Sequence, residues 1–592
     1  MAKAKEPKEA TSTEGTLLPS FTERLNIHFR SGCHFVLVPT NDVQRVLNEI
    51  KQLADAESYN LVIWDQVGGF NFEDPKKTVT NHPFEALMKI EHVESWKQKR
   101  NLIVMHDMHN FYFDNHDVRR AIRAASYGIR INNTKCQRMV IMVQPTAQLH
   151  PDLSPVITEV PFSLPAREEL ETIVTNVFAQ VTAQDKVANV PAETRFEIVR
   201  ALQGMTSSEA RSALSYSLAC VRGVNDNLIR MLESEKANVL RRTEVLSYIP
   251  WEKIPPIDDL GGYEELVTYA QRSSLAYTAE AEEAKLDMPK GVIVIGVPGS
   301  GKSLAAMAIA SVLKLPMVKF DLSAVFNSLV GGSEARTREA IRVVSAMDGC
   351  VLMIDEADKA MSGALDASGD SGVTKRVLGL VLDWLAMKKD RTFVVMTMNR
   401  TRGLPPEMLR RGRFDQVYCV DLPTEEERAT IMAIHLRKRG IDPAAYTKDE
   451  WNTFITLTDD FVGAEIEQAV IAARSAAFEL GYLNKITAGL DGAKEAEQKV
   501  YIDRLAMFPG SLKTEAAMLP DKVAVASVRG VPTAQQLNES IAAIRPGRVA
   551  ALDTQSIEEI RKFCADLGQP VSRARAQARQ RALVEATSKI TV

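Results

Sequence analysis

The residues best able to do chemistry form the run Gly296-Val297-Pro298-Gly299-Ser300-Gly301-Lys302-Ser303, which opens a helical pattern at Leu304. Glycines at such positions let backbone N–H groups wrap a phosphate, and the helix that follows adds the positive end of its dipole. Lys302 would reach the β- and γ-phosphates of a nucleoside triphosphate such as ATP, and Ser303 would place a hydroxyl on Mg²⁺. Further on, Cys350-Val-Leu-Met-Ile-Asp355-Glu356 is an apolar run ending in two carboxylates. Asp355 stands where a Mg²⁺ ligand is needed, and Glu356 where a base can orient attacking water. A later run, Phe393–Met396, leads into Thr397-Met398-Asn399. Asn399 at that tip can hold the same water against the γ-phosphate.

These side chains need a scaffold that brings three strand ends together. Short unbroken apolar runs separated by helical patterns predict buried parallel strands. In this part of the chain they are Val292–Ile295, Met317–Phe320, Val351–Ile354, Phe393–Met396 and Gln416–Val420. The same rhythm occurs earlier, in Phe35–Val38, Leu61–Trp64, Leu102–Met105 and Met139–Val143. The fold class expected is therefore α/β, twice over. The division is a tail over 1–16, an α/β domain over 17–165, and a helical lid or connector over 166–257. A second α/β domain follows over 258–423, then a helical domain over 424–592. Within the last, 484–532 lacks periodicity and predicts an insertion, and 534–587 predicts a final helical stretch ending in an Arg-rich segment. The first α/β domain has no phosphate loop, because Pro39-Thr40-Asn41-Asp42 follows its first strand. Its counterpart of the carboxylate strand ends in His106-Asp107-Met108-His109, without further metal ligands nearby. That predicts a non-hydrolysing scaffold or assembly domain.

Composition narrows the classes. Of 592 residues, 45% are hydrophobic and 25% charged, and 72 Lys and Arg against 76 Asp and Glu leave −4. A generic polyanion binder would carry a strongly basic domain. Only the end of the chain is locally basic, with Arg573, Arg575, Arg579, Arg581 and Lys589. Those groups suit nucleic acid, an acidic partner or plain solvent. Cys33, Cys136, Cys220, Cys350, Cys419 and Cys564 are widely spaced, which predicts reduced, mostly buried thiols and a cytoplasmic location. No apolar run approaches the roughly 20 residues of a membrane helix, and the Lys/Glu/Thr-rich start predicts a solvated tail, not a secretory signal.

In their order, these elements resemble the AAA+ ATPases, in the branch that contains FtsH and the proteasomal ATPases. Asp258-Asp-Leu-Gly261-Gly262 resembles the segment that flanks adenine there, and Phe461-Val-Gly463-Ala464 the lid motif behind the nucleotide. Arg410-Arg-Gly-Arg413-Phe-Asp resembles the arginine-finger segment. A closer likeness is to the hypothetical-chloroplast-frame AAA ATPases of plastids and cyanobacteria. It is carried by Met361–Ala364, Gly369–Val373, Arg376–Gly379, Leu404–Glu407 and Gly463–Ala469, and by Val36–Thr40, Val62–Asp65 and Pro161–Pro165 near the start. That family carries a decayed AAA-like domain before its P-loop NTPase core and helical lid.

The resemblance implies ATP and Mg²⁺ as cofactors, and a homo-oligomer, most often a hexamer, in which Arg410 and Arg413 complete a neighbour's site. It also implies a macromolecular substrate, with protein favoured. Leu329-Val330-Gly331 falls at the pore-loop position, where threading relatives carry an aromatic before the hydrophobic–Gly pair. Leucine grips an extended chain with less area than tyrosine or phenylalanine, so that loop either threads substrate or packs between subunits. A nucleic-acid motor and a slow nucleotide-gated scaffold are the rival readings. No HExxH protease motif occurs.

Overall fold

A computed structural model describes residues 19–71, 79–92, 100–131, 138–182, 190–221, 223–326, 332–347, 349–362, 371–401, 406–410, 412–492, 510–518, 523, 526–527, 529–544, 554–573 and 575–577. The chain falls into two compact units, Met1–Leu232 and Glu233–Val592.

The first unit is built on β1 (Phe35–Pro39), β2 (Asn60–Asp65), β3 (Gly69–Phe70), β4 (Asn101–His106), β5 (Arg138–Gln144) and β6 (Thr158–Glu159), in the order β3-β2-β4-β5-β1-β6. All pairings are parallel except β2 with β3. Alternate residues of each strand enter two different cores. Phe35, Leu37, Ile103 and Met105 belong to one, and Val36, Val38, Leu102 and Val104 to the other. Both faces are covered, which is why the strands read as unbroken apolar runs. The helices Arg167–Thr182, Ala192–Leu202 and Ser207–Val221 follow.

The second unit adds β7 (Leu246–Ile249), β8 (Gly291–Gly296), β9 (Met317–Phe320), β10 (Cys350–Ile354), β11 (Thr392–Met398), β12 (Gln416–Val420) and β13 (Gln569–Pro570). Their order is β13-β12-β8-β11-β10-β9-β7, and only β7 runs antiparallel to its neighbour. The helices Glu425–Lys438, Lys448–Leu457, Gly463–Gly492 and Ala534–Ile544 pack around Phe454, Phe461, Ile466 and Leu537 as a lid.

Several sequence expectations change here. Leu246–Ile249, placed with the connector, is hydrogen-bonded to β9. The segment that lacked periodicity begins as helix, since Gly463–Gly492 runs past residue 484. Its part Gly510–Ala517 is also helical and lies against that helix, with Asn484 donating to the Ala516 carbonyl at 2.8 Å. The final stretch is not continuous helix. Thr554–Asp566 ends before Gly568, and Gln569–Pro570 extends the sheet beside β12. Nor are all six cysteines reduced: Cys419 of β12 and Cys564 are joined in a disulfide, with Cα atoms 6.0 Å apart. They lie 145 positions apart in sequence, so no local spacing could reveal the pairing. Cys33, Cys220 and Cys350 are free thiols, and Cys136 lies outside the described residues.

Candidate functional site

In the second unit β8 lies between β12 and β11, where the order reverses: the connection leaving β8 runs toward β9 and that leaving β11 runs the opposite way, to β12. Open α/β sheets bind ligands at the carboxyl ends of strands flanking such a point. A cleft of about 330 Å³ opens there. Its walls include Pro298, Gly299, Ser300, Gly301, Lys302, Ser303 and Leu304 from the phosphate loop. Asp355, Glu356 and Asn399 close one side, and Gly261, Gly463 and Ala464 the other. Gly296, which ends β8, and Val297 do not line the cleft, and Gly262 lines a smaller neighbouring cavity.

The loop's conformation demands its glycines. Gly299 and Gly301 have φ of +76° and +98°, and a Cβ on Gly301 would lie 2.2 Å from the Tyr263 hydroxyl. That hydroxyl donates to the Gly301 carbonyl at 2.8 Å, fixing the loop just before the helix Lys302–Leu313. From the lid, the Ala464 amide donates to the Gly299 carbonyl at 3.2 Å. Lys302 is 7% exposed, and its Nζ donates to the Val297 carbonyl at 2.7 Å. Burial pulls its pKa down to about 8, against the opposing pull of Asp355, Asp358 and Glu356. A buried ammonium among loop amides at a helix N-terminus fits a polyphosphate. The Ser303 hydroxyl and Asp355 carboxylate are oxygen donors of the kind Mg²⁺ takes.

A hydrogen-bonded network fixes the carboxylates. Thr397 Oγ1 donates to Asp355 Oδ1 at 2.5 Å and accepts the Glu356 amide at 3.0 Å. Glu356 has φ of +49°, a turn that swings its side chain off the strand line. Its Oε1 accepts from Asn399 Nδ2 at 3.2 Å, and its Oε2 lies 2.5 Å from Lys359 Nζ. The Lys359 hydrogen bond, aided by Asn399, holds the Glu356 carboxyl below its ordinary range despite some burial. Asn399 is itself anchored by its amide to Asp358 Oδ1 at 2.9 Å. Thr397, Lys359 and Tyr263 were not singled out from the sequence. For Thr397 a signal existed, a hydroxyl inside the otherwise apolar stretch Phe393–Met398.

The arginines lie elsewhere. Arg410 is exposed, and Arg413 donates to the Glu407 carbonyl at 2.9 Å; neither lines the cleft. Leu329, Val330 and Gly331 lie outside the described residues. Of the basic C-terminal groups, Arg575 pairs with Asp421 at 2.6 Å and Arg573 approaches Glu265 at 3.6 Å. Arg579 and Arg581 lie outside the described residues.

Family models match three stretches of the chain. The ATPase family associated with various cellular activities (AAA) covers residues 292–422. The SpoVK-like AAA ATPase N-terminal domain covers 21–162, and the SpoVK-like second domain 168–243. Among curated proteins, the AAA domain-containing protein ycf46 of Pyropia yezoensis is 31% identical over 78% of this chain and 90% of its own. The chain belongs to the AAA ATPases of the ycf46 type. This AAA ATPase is also similar to the ATP-dependent zinc metalloprotease FtsH of Heterosigma akashiwo, 31% identical over 40% of this chain and 36% of that one. To the proteasome-activating nucleotidase of Aeropyrum pernix it is 28% identical, over 45% and 64% of the two chains. It therefore binds ATP and hydrolyses it. Among the described residues no helix is long and apolar enough to cross a membrane.

Proposed function

We propose that this AAA ATPase assembles into a ring, most simply a hexamer, and spends Mg²⁺-dependent ATP hydrolysis on remodelling a protein partner. One observation carries the reading. Phosphate loop, base and lid converge on one cleft, while Arg410 and Arg413 of the same chain stay outside it. Guanidinium forks suit the charge that builds on a transferring phosphoryl group, so a second subunit must supply them.

In the working site Lys302 exchanges the Val297 carbonyl for the β- and γ-phosphate oxygens. Ser303 and Asp355 would hold the Mg²⁺ ion, which would supply positive charge against the phosphates. Glu356 and Asn399 orient water for in-line attack on the γ-phosphorus, and Glu356 accepts the water's proton. Arg413 and Arg410 of the neighbour meet the charge on the equatorial oxygens. The kinship with FtsH and the proteasome-activating nucleotidase favours a protein substrate. The engagement of Arg573 and Arg575 by acidic groups of their own chain speaks against a nucleic-acid motor.

Turnover measured with an unfolded protein, with DNA and with neither tests the reading. Stimulation by the unfolded protein is expected. Stimulation by DNA alone would make the chain a nucleic-acid motor, and indifference to both would leave an assembly scaffold. A pull-down with the ATP-trapping Glu356→Gln chain would identify the partner.

A further inference from the structure

Beside the nucleotide cleft lies a second cavity of about 40 Å³. Three separate pieces of chain meet there: the phosphate loop through Ser300, the first lid helix through Glu427, and the C-terminal segment through Val571, Ser572 and Arg575. Ser300 Oγ, Glu427 Oε1 and Ser572 Oγ are all buried, and none has a hydrogen-bond partner among the described residues. Buried polar atoms carry a cost unless something satisfies them. A polar space of this size with three such atoms suits an ordered water, which needs room for about one probe sphere and two to four polar partners.

The C-terminal segment is held against this cavity from several sides. Gln569 and Pro570 pair with Tyr418 and Cys419 of β12, and the Val571 carbonyl accepts the Glu265 amide at 2.9 Å. Arg575 donates to Asp421 Oδ2 at 2.6 Å and to the Leu422 carbonyl, and Arg561 meets Asp421 at 3.0 Å. The Cys419–Cys564 disulfide ties the preceding helix to the same strand.

We propose that this segment is a wall of the ATP site: a water shared by Ser300, Glu427 and Ser572 fixes the phosphate loop to the lid, with Arg575 as the positioning residue that keeps the wall closed. The inference rests on the ATP-binding reading of the cleft. Removing the Ser572 hydroxyl takes one partner from the water and loosens the loop where ATP binds, without touching Glu356 or Asn399. Losing Arg575 loosens the wall, which is then held by the β12–β13 pairing, by the Glu265–Val571 hydrogen bond and, through the preceding helix, by the disulfide. A dithiol reductant severs that tie by giving up two electrons and two protons. Its own sulfurs join as Cys419 and Cys564 become thiols.

The test uses the full chain, with ATP KM and kcat measured for the parent, Ser572→Ala, Arg575→Ala and Arg575→Lys, each with and without a dithiol. Ser572→Ala should raise KM roughly threefold and Arg575→Ala about tenfold, with kcat held within about twofold. Arg575→Lys should recover part of the loss, and the dithiol should enlarge the effect of Arg575→Ala. Should Arg575→Ala unfold, Ser572→Ala still decides, since it deletes one hydroxyl. Parental KM in Ser572→Ala and in reduced Arg575→Ala would overturn the wall, whereas a parent that fails to bind ATP would instead overturn the reading of the cleft.

Discussion

Numbered along the chain, the five main parallel strands of each unit lie in the same spatial order, 5-1-4-3-2, yet only one of the two sheets carries a phosphate loop. In the second unit, β8 and the helix Lys302–Leu313 are separated by the five residues Val297–Gly301. In the first, β1 and the helix Val43–Glu57 are separated by the three residues Thr40–Asp42. Three residues without glycine cannot wrap a phosphate in backbone amides. What they do instead is informative. Asp42 is 2% exposed, and its Oδ2 accepts the amide of Ser207, the first residue of the third helix after β6. The matching helix of the second unit donates its Ala464 amide to the Gly299 carbonyl. The loop-to-lid contact persists, but a fixed carboxylate now provides it. That negative charge at a helix N-terminus would repel an incoming phosphate.

The carboxylate strands diverge in the same way. Both turn through a residue of positive φ, Asp107 at +53° and Glu356 at +49°. The Asp107 amide donates to the Val143 carbonyl at 3.0 Å, whereas the Glu356 amide donates to a threonine hydroxyl. The two units share the positive-φ turn and differ in what holds it.

The largest effects should separate the two units outright. Glu356→Gln should keep ATP bound while turnover falls by about 100- to 10,000-fold, the usual worth of a positioned base. Lys302→Ala should take bound nucleotide from one per chain to none by equilibrium dialysis. A parent chain that binds two nucleotides would place a second site in the first unit and break the comparison.

Arg413→Ala should lower turnover about 1,000-fold, at the low end of what such arginines contribute, with ATP affinity kept. Mixing these chains with Glu356→Gln chains should restore part of the activity. At some junctions the pocket then comes from an Arg413→Ala chain and the arginines from a Glu356→Gln chain, which makes one whole site. Co-expression ensures mixed assemblies. A fully active Arg413→Ala monomer at high dilution would sink the shared-site model.

Much of this was legible beforehand, for a physical reason. Strands covered on both faces are largely apolar, so Met317–Phe320 and Gln416–Val420 can be read from the sequence with their exact ends, although Lys319 and Gln416 interrupt the apolar pattern. The phosphate loop is equally local, since its glycines, lysine and serine act within eight positions. What stayed hidden depends on partners far along the chain. Thr158–Glu159 and Gln569–Pro570 are two-residue strands held by neighbours, with no periodicity of their own. The Cys419–Cys564 bond and the Asp42–Ser207 contact join segments that the sequence does not link. Lys359 escaped notice because a lysine on a short helix ordinarily faces solvent, and its role depends on where Glu356 turns.

Thr397 sharpens the comparison at smaller scale. Its hydroxyl orients both Asp355 and the Glu356 backbone, whereas in the first unit the Asp107 amide is tied to a main-chain carbonyl. Thr397→Val should lower kcat about tenfold, the worth of one well-placed hydrogen bond to a charged group, while Thr397→Ser should stay near the parent. Steady-state kinetics at saturating ATP would measure it.

The smallest effect on turnover, and the most direct test of what the first unit has become, is expected at Asp42. If its carboxylate replaces a phosphate loop as the tie to the helix Ser207–Val221, removing it should cost structure and not activity. Asp42→Ala leaves the Ser207 amide without its acceptor, a loss of about 1.5–3 kcal/mol for a hydrogen bond to a charged group. Hydrogen exchange should report it as faster labelling of Ser207–Val221, with Gly463–Gly492 unchanged as the internal control. Asp42→Asn keeps an acceptor oxygen without the charge, so it should fall between the two. ATP turnover should stay within about twofold in both, because neither substitution touches the cleft in the second unit. Nor should either restore binding, since a loop of three residues lacks the amides to replace the lost charge. Unchanged exchange in Asp42→Ala would mean that the contact holds nothing. A second bound nucleotide would mean that the charge alone had kept the first unit empty.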